Sequence, residues 1–102
     1  MDYEFRDRKL FVSKTPEERE PILHRLRRIE GQVRGLIQMV EADRYCLEEV
    51  QQANAVTAAM REVSVMILSG HLDAGIGYAV RCGHGEEIVA EVSRVMRAAL
   101  KL

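Results

Sequence analysis

The chain has 102 residues, of which 47% are hydrophobic and 30% are charged, and its formal net charge is −1. These values fit one small globular domain and argue against a disordered chain. The lack of Trp and the presence of only 2 Pro favour helices over a sandwich or barrel, and the near-zero charge excludes a globally basic protein. Any DNA binding must therefore use a local basic face.

The N-terminal segment is too charged for a secretory signal, and we expect no membrane-spanning helix. The expected location is the cytoplasm. Two cysteines, Cys46 and Cys82, are too few for a disulfide scaffold, and in a reducing compartment both are expected to be thiols.

Residues 1–14 mix charged and aromatic side chains without clear periodicity, so we predict a flexible N-terminal arm ahead of a helical domain at 15–102. The stretch TPEE then predicts a helix start, with Thr15 as N-cap and Glu18 completing a capping box. Apolar residues recur at steps of four and three from Ile22 to Val40, which predicts a helix to about residue 42. Asp43 is expected to cap the next helix.

A second helix is predicted from a stripe that also repeats at steps of four and three: Cys46, Val50, Ala53, Thr57, Met60, Ser64, Ile67 and His71. Gly75 and Gly77 weaken this helix, and CGHG at 82–85 ends it. A short third helix follows. The predicted architecture is all-α, with three helices and an apolar face left open for a second chain.

Cys46 and His71 share one helical stripe but are 25 residues apart, which corresponds to roughly 37 Å along a helix. They can meet only if two copies of the helix pack antiparallel, with Cys46 of one chain level with His71 of the other. A thiolate and an imidazole suit Cu(I), Zn(II) or Ni(II), or make a reactive thiol. In the alternative interpretation, Cys46 is a small buried residue and His71 a polar helix end.

Helix 1 also carries a basic face. Arg25 and Arg28 are three residues apart and share a side of the helix, Arg27 lies beside them, and Arg61 on helix 2 could extend the patch. Repetition by symmetry would let such a face neutralise several phosphates. A solvated helix surface with no DNA role is the alternative.

The segments HRLRRIEGQVRGLIQMVEADRYC, QQANAVTAAM and GHL together resemble the CsoR/RcnR/FrmR family of bacterial transcriptional repressors. The resemblance runs from about residue 21 to residue 91. It implies a three-helix subunit, an antiparallel four-helix-bundle homodimer and a dimer of dimers. It also implies a repressor that binds double-stranded operator DNA and is released by an inducer, and it places Arg25 at a DNA-contact position.

In copper-sensing members the ligands are a Cys from one chain and a His and a Cys from the other. Cys46 and His71 match two of these positions, but Gly75 stands at the third. Tyr45 and Glu91 match residues that the copper sensors use around the ligands. The resemblance therefore favours Cu(I) as the inducer while one ligand is missing.

Two residues could replace that ligand, namely Cys82, if the second helix breaks at its glycines, or His84. Alternatively, the chain senses reactive sulfur or an aldehyde through Cys46 and Cys82, or it is a metal-binding bundle with no DNA role. An enzyme is not expected, because nothing in the sequence supplies oxyanion donors or a substrate pocket.

Overall fold

A computed structural model describes residues 2–101. Its elements in chain order are β1 (Asp2–Arg6), β2 (Lys9–Ser13), α1 (Pro16–Glu41), α2 (Cys46–Cys82) and α3 (Gly85–Leu100). The prediction of two long helices and one short helix is confirmed. The all-α assignment needs one correction, because a two-stranded sheet precedes the helices.

The residues predicted as a flexible arm instead form a β-hairpin. The strands are antiparallel, with Phe5 opposite Leu10 and Tyr3 opposite Val12. Asp7 and Arg8 form the turn with φ of 50° and 62°, the left-handed pair that matches the twist of a two-residue hairpin. Leu10 is only 5% exposed and packs with Ala74 and Ile88. Burial of this face accounts for the order of the segment.

The predicted start of α1 is confirmed by a reciprocal capping box. The Thr15 N–H donates to Glu18 Oε1 at 2.9 Å, and the Glu18 N–H donates to Thr15 Oγ1 at 3.2 Å. The other end of the helix departs from prediction. Asp43 has a φ of 51° and its N–H donates to the Val40 carbonyl, so it closes α1 and does not cap α2.

Replacing Thr15 by alanine is expected to destabilise the protein by about 1 kcal/mol at neutral pH, since one N-terminal N–H of α1 loses its acceptor. The Thr15 backbone N–H also lowers the pKa of Glu18. That carboxylate therefore stabilises the fold above its unfolded pKa, and its contribution disappears as the pH falls through the lower folded value. Urea unfolding of the wild type and of Thr15→Ala at about pH 7 measures the first effect. Urea unfolding of the wild type at about pH 7 and about pH 3 measures the second. Thr15→Ser, which keeps the hydroxyl, is the control, and an unchanged midpoint for Thr15→Ala would contradict the expectation.

Helix α2 continues through Gly75 and Gly77 and ends at Cys82, where Gly83 adopts a φ of 81°. By length and composition α2 could cross a membrane, contrary to the sequence expectation. A single helix of this kind is weak evidence, because core helices of soluble proteins meet the same criterion. Many apolar side chains of α2 are exposed in the single chain, among them Val50, Met60, Val65, Ile67, Leu72, Ile76 and Val80.

The chain divides into two compact units. In residues 19–66, Ile29 and Val63 are buried, and Gln52 Nε2 donates to the Gln32 carbonyl at 3.1 Å. In residues 2–18 and 67–101, the hairpin packs on α3 and on the second half of α2. The core of this second unit is Leu10, Ala74 and Ile88, flanked by Tyr3, Phe5, Val12, Tyr78, Ala79 and Val92.

Candidate functional site

His71 and Glu91 form a close pair in the second unit. Helix α2 supplies His71 and α3 supplies Glu91, and His71 Nε2 lies 2.7 Å from Glu91 Oε1. The glutamate side chain is 4% exposed and the histidine side chain 18%. Which of the two atoms donates depends on the tautomer of the ring, and in the tautomer that donates to a carboxylate oxygen the proton lies on Nε2. Nδ1 is then the ring nitrogen with a lone pair, available to a metal ion.

The second oxygen of Glu91 accepts a hydrogen bond from the hairpin. The Leu10 N–H donates to Glu91 Oε2 at 2.8 Å, so both oxygens of this buried carboxylate have a donor. A role for Glu91 is expected from the resemblance, whereas the part played by Leu10 was not predicted. The signal that could have found it is the alternation of Tyr3 and Phe5 with Leu10 and Val12, which puts four apolar residues on one face of a hairpin.

Gly75 faces the packed core of the same unit. A Cβ built at this position would lie 3.1 Å from Val92 Cγ2, 3.4 Å from Ile88 Cγ2 and 3.9 Å from Leu10 Cδ2. Side chains from α3 and the hairpin therefore occupy the space that a residue at position 75 would use. The missing third ligand coincides with a tight packing contact.

We predict that Gly75→Val lowers the free energy of unfolding by about 1–3 kcal/mol, because the added atoms overpack the contact with Val92 and Leu10. The matched control is Gly70→Val on the same helix, since within residues 2–101 a Cβ at position 70 has no heavy atom within 4 Å apart from its own helical neighbours. Denaturant unfolding followed by circular dichroism compares the two. Equal stability of the two variants would show that the neighbouring side chains can move away from position 75 without destabilising the protein.

The cysteines lie at the two ends of α2, and both are exposed free thiols. Cys46 is its first residue, and Tyr45, just before it, is 69% exposed and accepts N–H bonds from Glu48 and Glu49 through its carbonyl. The meeting of Cys46 with His71 requires a second chain and stays a prediction.

The chain does not bring Cys82 to His71. Helix α2 has no break at its glycines, so the 11 residues between them correspond to roughly 16 Å along the helix. His84 lies in the turn before α3, exposed, with Nδ1 3.9 Å from a Glu87 carboxylate oxygen. Within residues 2–101 no group of three His, Cys, Asp or Glu side chains is arranged to hold a metal ion.

The predicted basic residues all lie in the unit formed by residues 19–66, and all four are exposed. Arg25 and Arg28 line one surface cavity with Gln32, whose side-chain oxygen is buried without a partner. Arg27 pairs with Glu20 at 3.3 Å. Elsewhere in the described chain no carboxylate lies within salt-bridge distance of Arg25, Arg28 or Arg61. These three guanidinium groups are free to bind an external anion.

The chain is similar to known proteins in both sequence and fold. The copper-sensing transcriptional repressor CsoR of Bacillus subtilis (strain 168) is 40% identical over 91 residues, covering 89% of this chain and 90% of that protein. The crystal structure of CsoR with Cu(I) from Geobacillus thermodenitrificans NG80-2 superposes with a TM-score of 0.75 at 41% identity, over 86% of this chain and 92% of that one. The nickel-responsive transcriptional regulator InrS superposes with a TM-score of 0.74 at 30% identity, over 87% and 97%.

Residues 18–98 match the family described as metal-sensitive transcriptional repressors. The match begins at Glu18 of the capping box and includes Cys46, His71, Gly75 and Glu91. It leaves out the hairpin at residues 2–13. Members of this family are transcriptional repressors and not enzymes. The chain belongs to the metal-sensitive transcriptional repressor family and is a metal-sensing repressor of the CsoR type.

Proposed function

We propose that the protein is a cytoplasmic, DNA-binding repressor that leaves its operator when Cu(I) binds between Cys46 of one subunit and His71 of the partner subunit. The observation that carries the proposal is the His71–Glu91 pair. A 2.7 Å contact between Nε2 and the carboxylate orients the ring and favours the tautomer protonated at Nε2, which leaves the Nδ1 lone pair for a metal ion.

The donor set fits Cu(I). A thiolate is the soft ligand that Cu(I) prefers, and a neutral imidazole suits it as well. Cys46 is exposed, and Nδ1 of His71 has no hydrogen-bond partner among the described residues. Position 75 contributes no donor, and its space is filled by Val92 and Leu10. Two protein ligands suffice for Cu(I), which accepts linear coordination.

The exposed stripe of α2 supports assembly into a homodimer and then a homotetramer. Val50, Met60 and Ile67 belong to the stripe that the sequence predicts as a helix–helix seam, and they are 53%, 43% and 47% exposed in the single chain. Burial of such side chains is favourable by about 25 cal/mol per Å² of apolar surface. A second α2 running antiparallel would cover this seam and bring Cys46 of one chain level with His71 of the other.

The arginines of the unit at 19–66 support binding to double-stranded operator DNA. Arg25 and Arg28 lie side by side, exposed and without a carboxylate partner in the described chain, and Arg61 shares these properties. A homotetramer would repeat the set four times, and these local positive faces would attract phosphates although each chain carries a net charge of −1.

The test is anaerobic fluorescence anisotropy of labelled DNA from the region upstream of the gene. Reduced protein is titrated first, followed by Cu(I) held in a buffering chelator. We expect tight binding of the DNA and its release near one Cu(I) per subunit. DNA binding that Cu(I) leaves unchanged would refute Cu(I) as inducer, and failure to bind the DNA would leave a metal-binding bundle.

Three further titrations separate the alternatives. Ni(II) is tested because the InrS neighbour is described as nickel-responsive. A persulfide donor and formaldehyde test the thiol-based alternative, which predicts an adduct or a Cys46–Cys82 crosslink that intact mass spectrometry detects. Release by one of these agents and not by Cu(I) would assign the inducer to it.

A further inference from the structure

The N-terminal hairpin is joined to the His71–Glu91 pair through one backbone group. In a hairpin closed by a two-residue turn, Arg6 and Lys9 form the hydrogen-bonded pair next to the turn, so Phe5 and Leu10 form a non-hydrogen-bonded pair. The Leu10 N–H therefore points away from β1. It donates to Glu91 Oε2 instead, at 2.8 Å.

Glu91 is the bridge between the hairpin and the histidine. Oε1 accepts from His71 Nε2 and Oε2 accepts from the Leu10 N–H, so the planar carboxylate is held at both oxygens. A carboxylate held at one oxygen can rotate about its last torsion, whereas one held at both cannot. The hairpin thus fixes the direction of the bond that Glu91 makes to the His71 ring.

The hairpin packs against two glycines of α2. Leu10 of β2 lies 3.9 Å from the Cβ position of Gly75, and the Tyr3 hydroxyl of β1 lies 3.4 Å from that of Gly77. The Tyr78 ring packs edge-on against Tyr3, with centroids 6.5 Å apart. On the α3 side, the Arg94 guanidinium donates to the Arg8 carbonyl in the turn. Both strands and the turn are therefore held against α2 and α3.

We propose that the hairpin is a positioning element of the sensor, with the Leu10 N–H setting the orientation of Glu91 and, through it, of His71. Because the hydrogen bonds are shared, a change in the orientation of the ring moves Oε1, and the rigid carboxylate carries Oε2 with it. The strength of hairpin docking and the state of His71 are then coupled in both directions. The link to DNA release rests on the function proposed above, whereas the positioning of the ring does not.

The decisive variant removes the Leu10 N–H and keeps every side chain. Cys46 permits its preparation, since a synthetic thioester of residues 1–45 can be ligated to residues 46–102 with the native cysteine restored. In one product the Leu10 amide nitrogen is replaced by an ester oxygen. The matched control carries the same replacement at Val12, which also belongs to a non-hydrogen-bonded pair. Each ester weakens one ladder acceptor, but only the Leu10 ester removes a donor to Glu91.

The first readout is the ¹⁵N signature of the His71 imidazole in the metal-free protein. In the wild type and the Val12 ester we expect a single tautomer protonated at Nε2. In the Leu10 ester we expect signals averaged between tautomers. A Leu10 ester with wild-type imidazole signals would overturn the proposal, whatever the inducer is.

The second readout is the ratio of DNA affinities without and with Cu(I). We expect this ratio to fall about 10-fold in the Leu10 ester, in proportion to one lost hydrogen bond to a charged group. Affinity for DNA without metal is expected to stay within about threefold of the wild type, since the basic face is untouched. An altered imidazole with an unchanged ratio would refute the coupling. If wild-type DNA binding ignores Cu(I), the proposed function fails, and the imidazole readout still decides the positioning role.

Discussion

Cys46→Ala is expected to bind operator DNA as tightly as the wild type and to remain bound when Cu(I) is added. The thiolate is the soft donor of the proposed site, and without it only the imidazole of His71 remains. Loss of one of two ligands should weaken Cu(I) binding by at least about 100-fold, by analogy with the 10–100-fold cost of losing a mere outer-shell partner. Competition with a chromophoric Cu(I) chelator gives the metal affinity, and anisotropy gives the affinity for DNA.

The control for this experiment is Cys82→Ala. Cys82 ends α2, roughly 16 Å along the helix from His71, and its replacement should leave the response to Cu(I) intact. Normal release by Cys46→Ala would eliminate Cys46 as the sensor. Loss of response in both variants would favour chemistry that joins the two thiols.

The double substitution Arg25→Ala with Arg28→Ala is expected to weaken DNA binding about 100-fold or more near 0.1 M salt. Each guanidinium that neutralises a phosphate releases a counterion, so the slope of log K against log salt should also become shallower by about 0.9 for every phosphate that is no longer neutralised. Affinity for Cu(I) should not change, because neither arginine is a ligand of the proposed site or a hydrogen-bond partner of His71 or Glu91. Anisotropy at several salt concentrations measures both quantities.

Arg44→Ala is the matched control for the basic face. Arg44 is exposed and pairs with Glu48 at 3.0 Å. Its replacement removes one positive charge from the chain but leaves the unpaired arginines of the basic face in place. We expect little change in DNA affinity. If Arg44→Ala lowers DNA affinity as much as the single substitution Arg25→Ala does, the overall charge of the protein and not this face attracts the DNA.

The helices were predictable because their signals are local. The Thr15–Glu18 capping box, the apolar periodicity and the CGHG terminator each act within a few residues of the boundary they set. The stripe from Cys46 to His71 likewise follows from spacing alone. Continuity of α2 through Gly75 and Gly77 was harder to predict, because glycine lowers helix propensity by about 1 kcal/mol. Leu10 and Tyr3, distant in sequence, pack into the space that the absence of side chains at these glycines leaves.

The hairpin was not predicted because its turn is unusual. Two-residue turns of this kind favour Asn-Gly or Asp-Gly, and here Asp7 is followed by Arg8 with a φ of 62°. Strand pairing of only five residues a side is marginal without a surface to cover. That surface is formed by α2 and α3. The hydrogen bond from Leu10 to Glu91 could not be predicted from the sequence, since every residue except proline has the same backbone N–H donor.

The hydrogen bond between Leu10 and Glu91 joins residues 81 positions apart in the chain. During synthesis the strands of the hairpin leave the ribosome well before Glu91, whose carboxylate receives the Leu10 N–H. The strands have little stability of their own, so they must wait, solvated, until α3 has emerged. Folding of the second unit therefore joins two segments that are separated by the whole of residues 19–66. A nascent or truncated chain that lacks α3 leaves Leu10, Tyr3 and Phe5 exposed to proteases and chaperones.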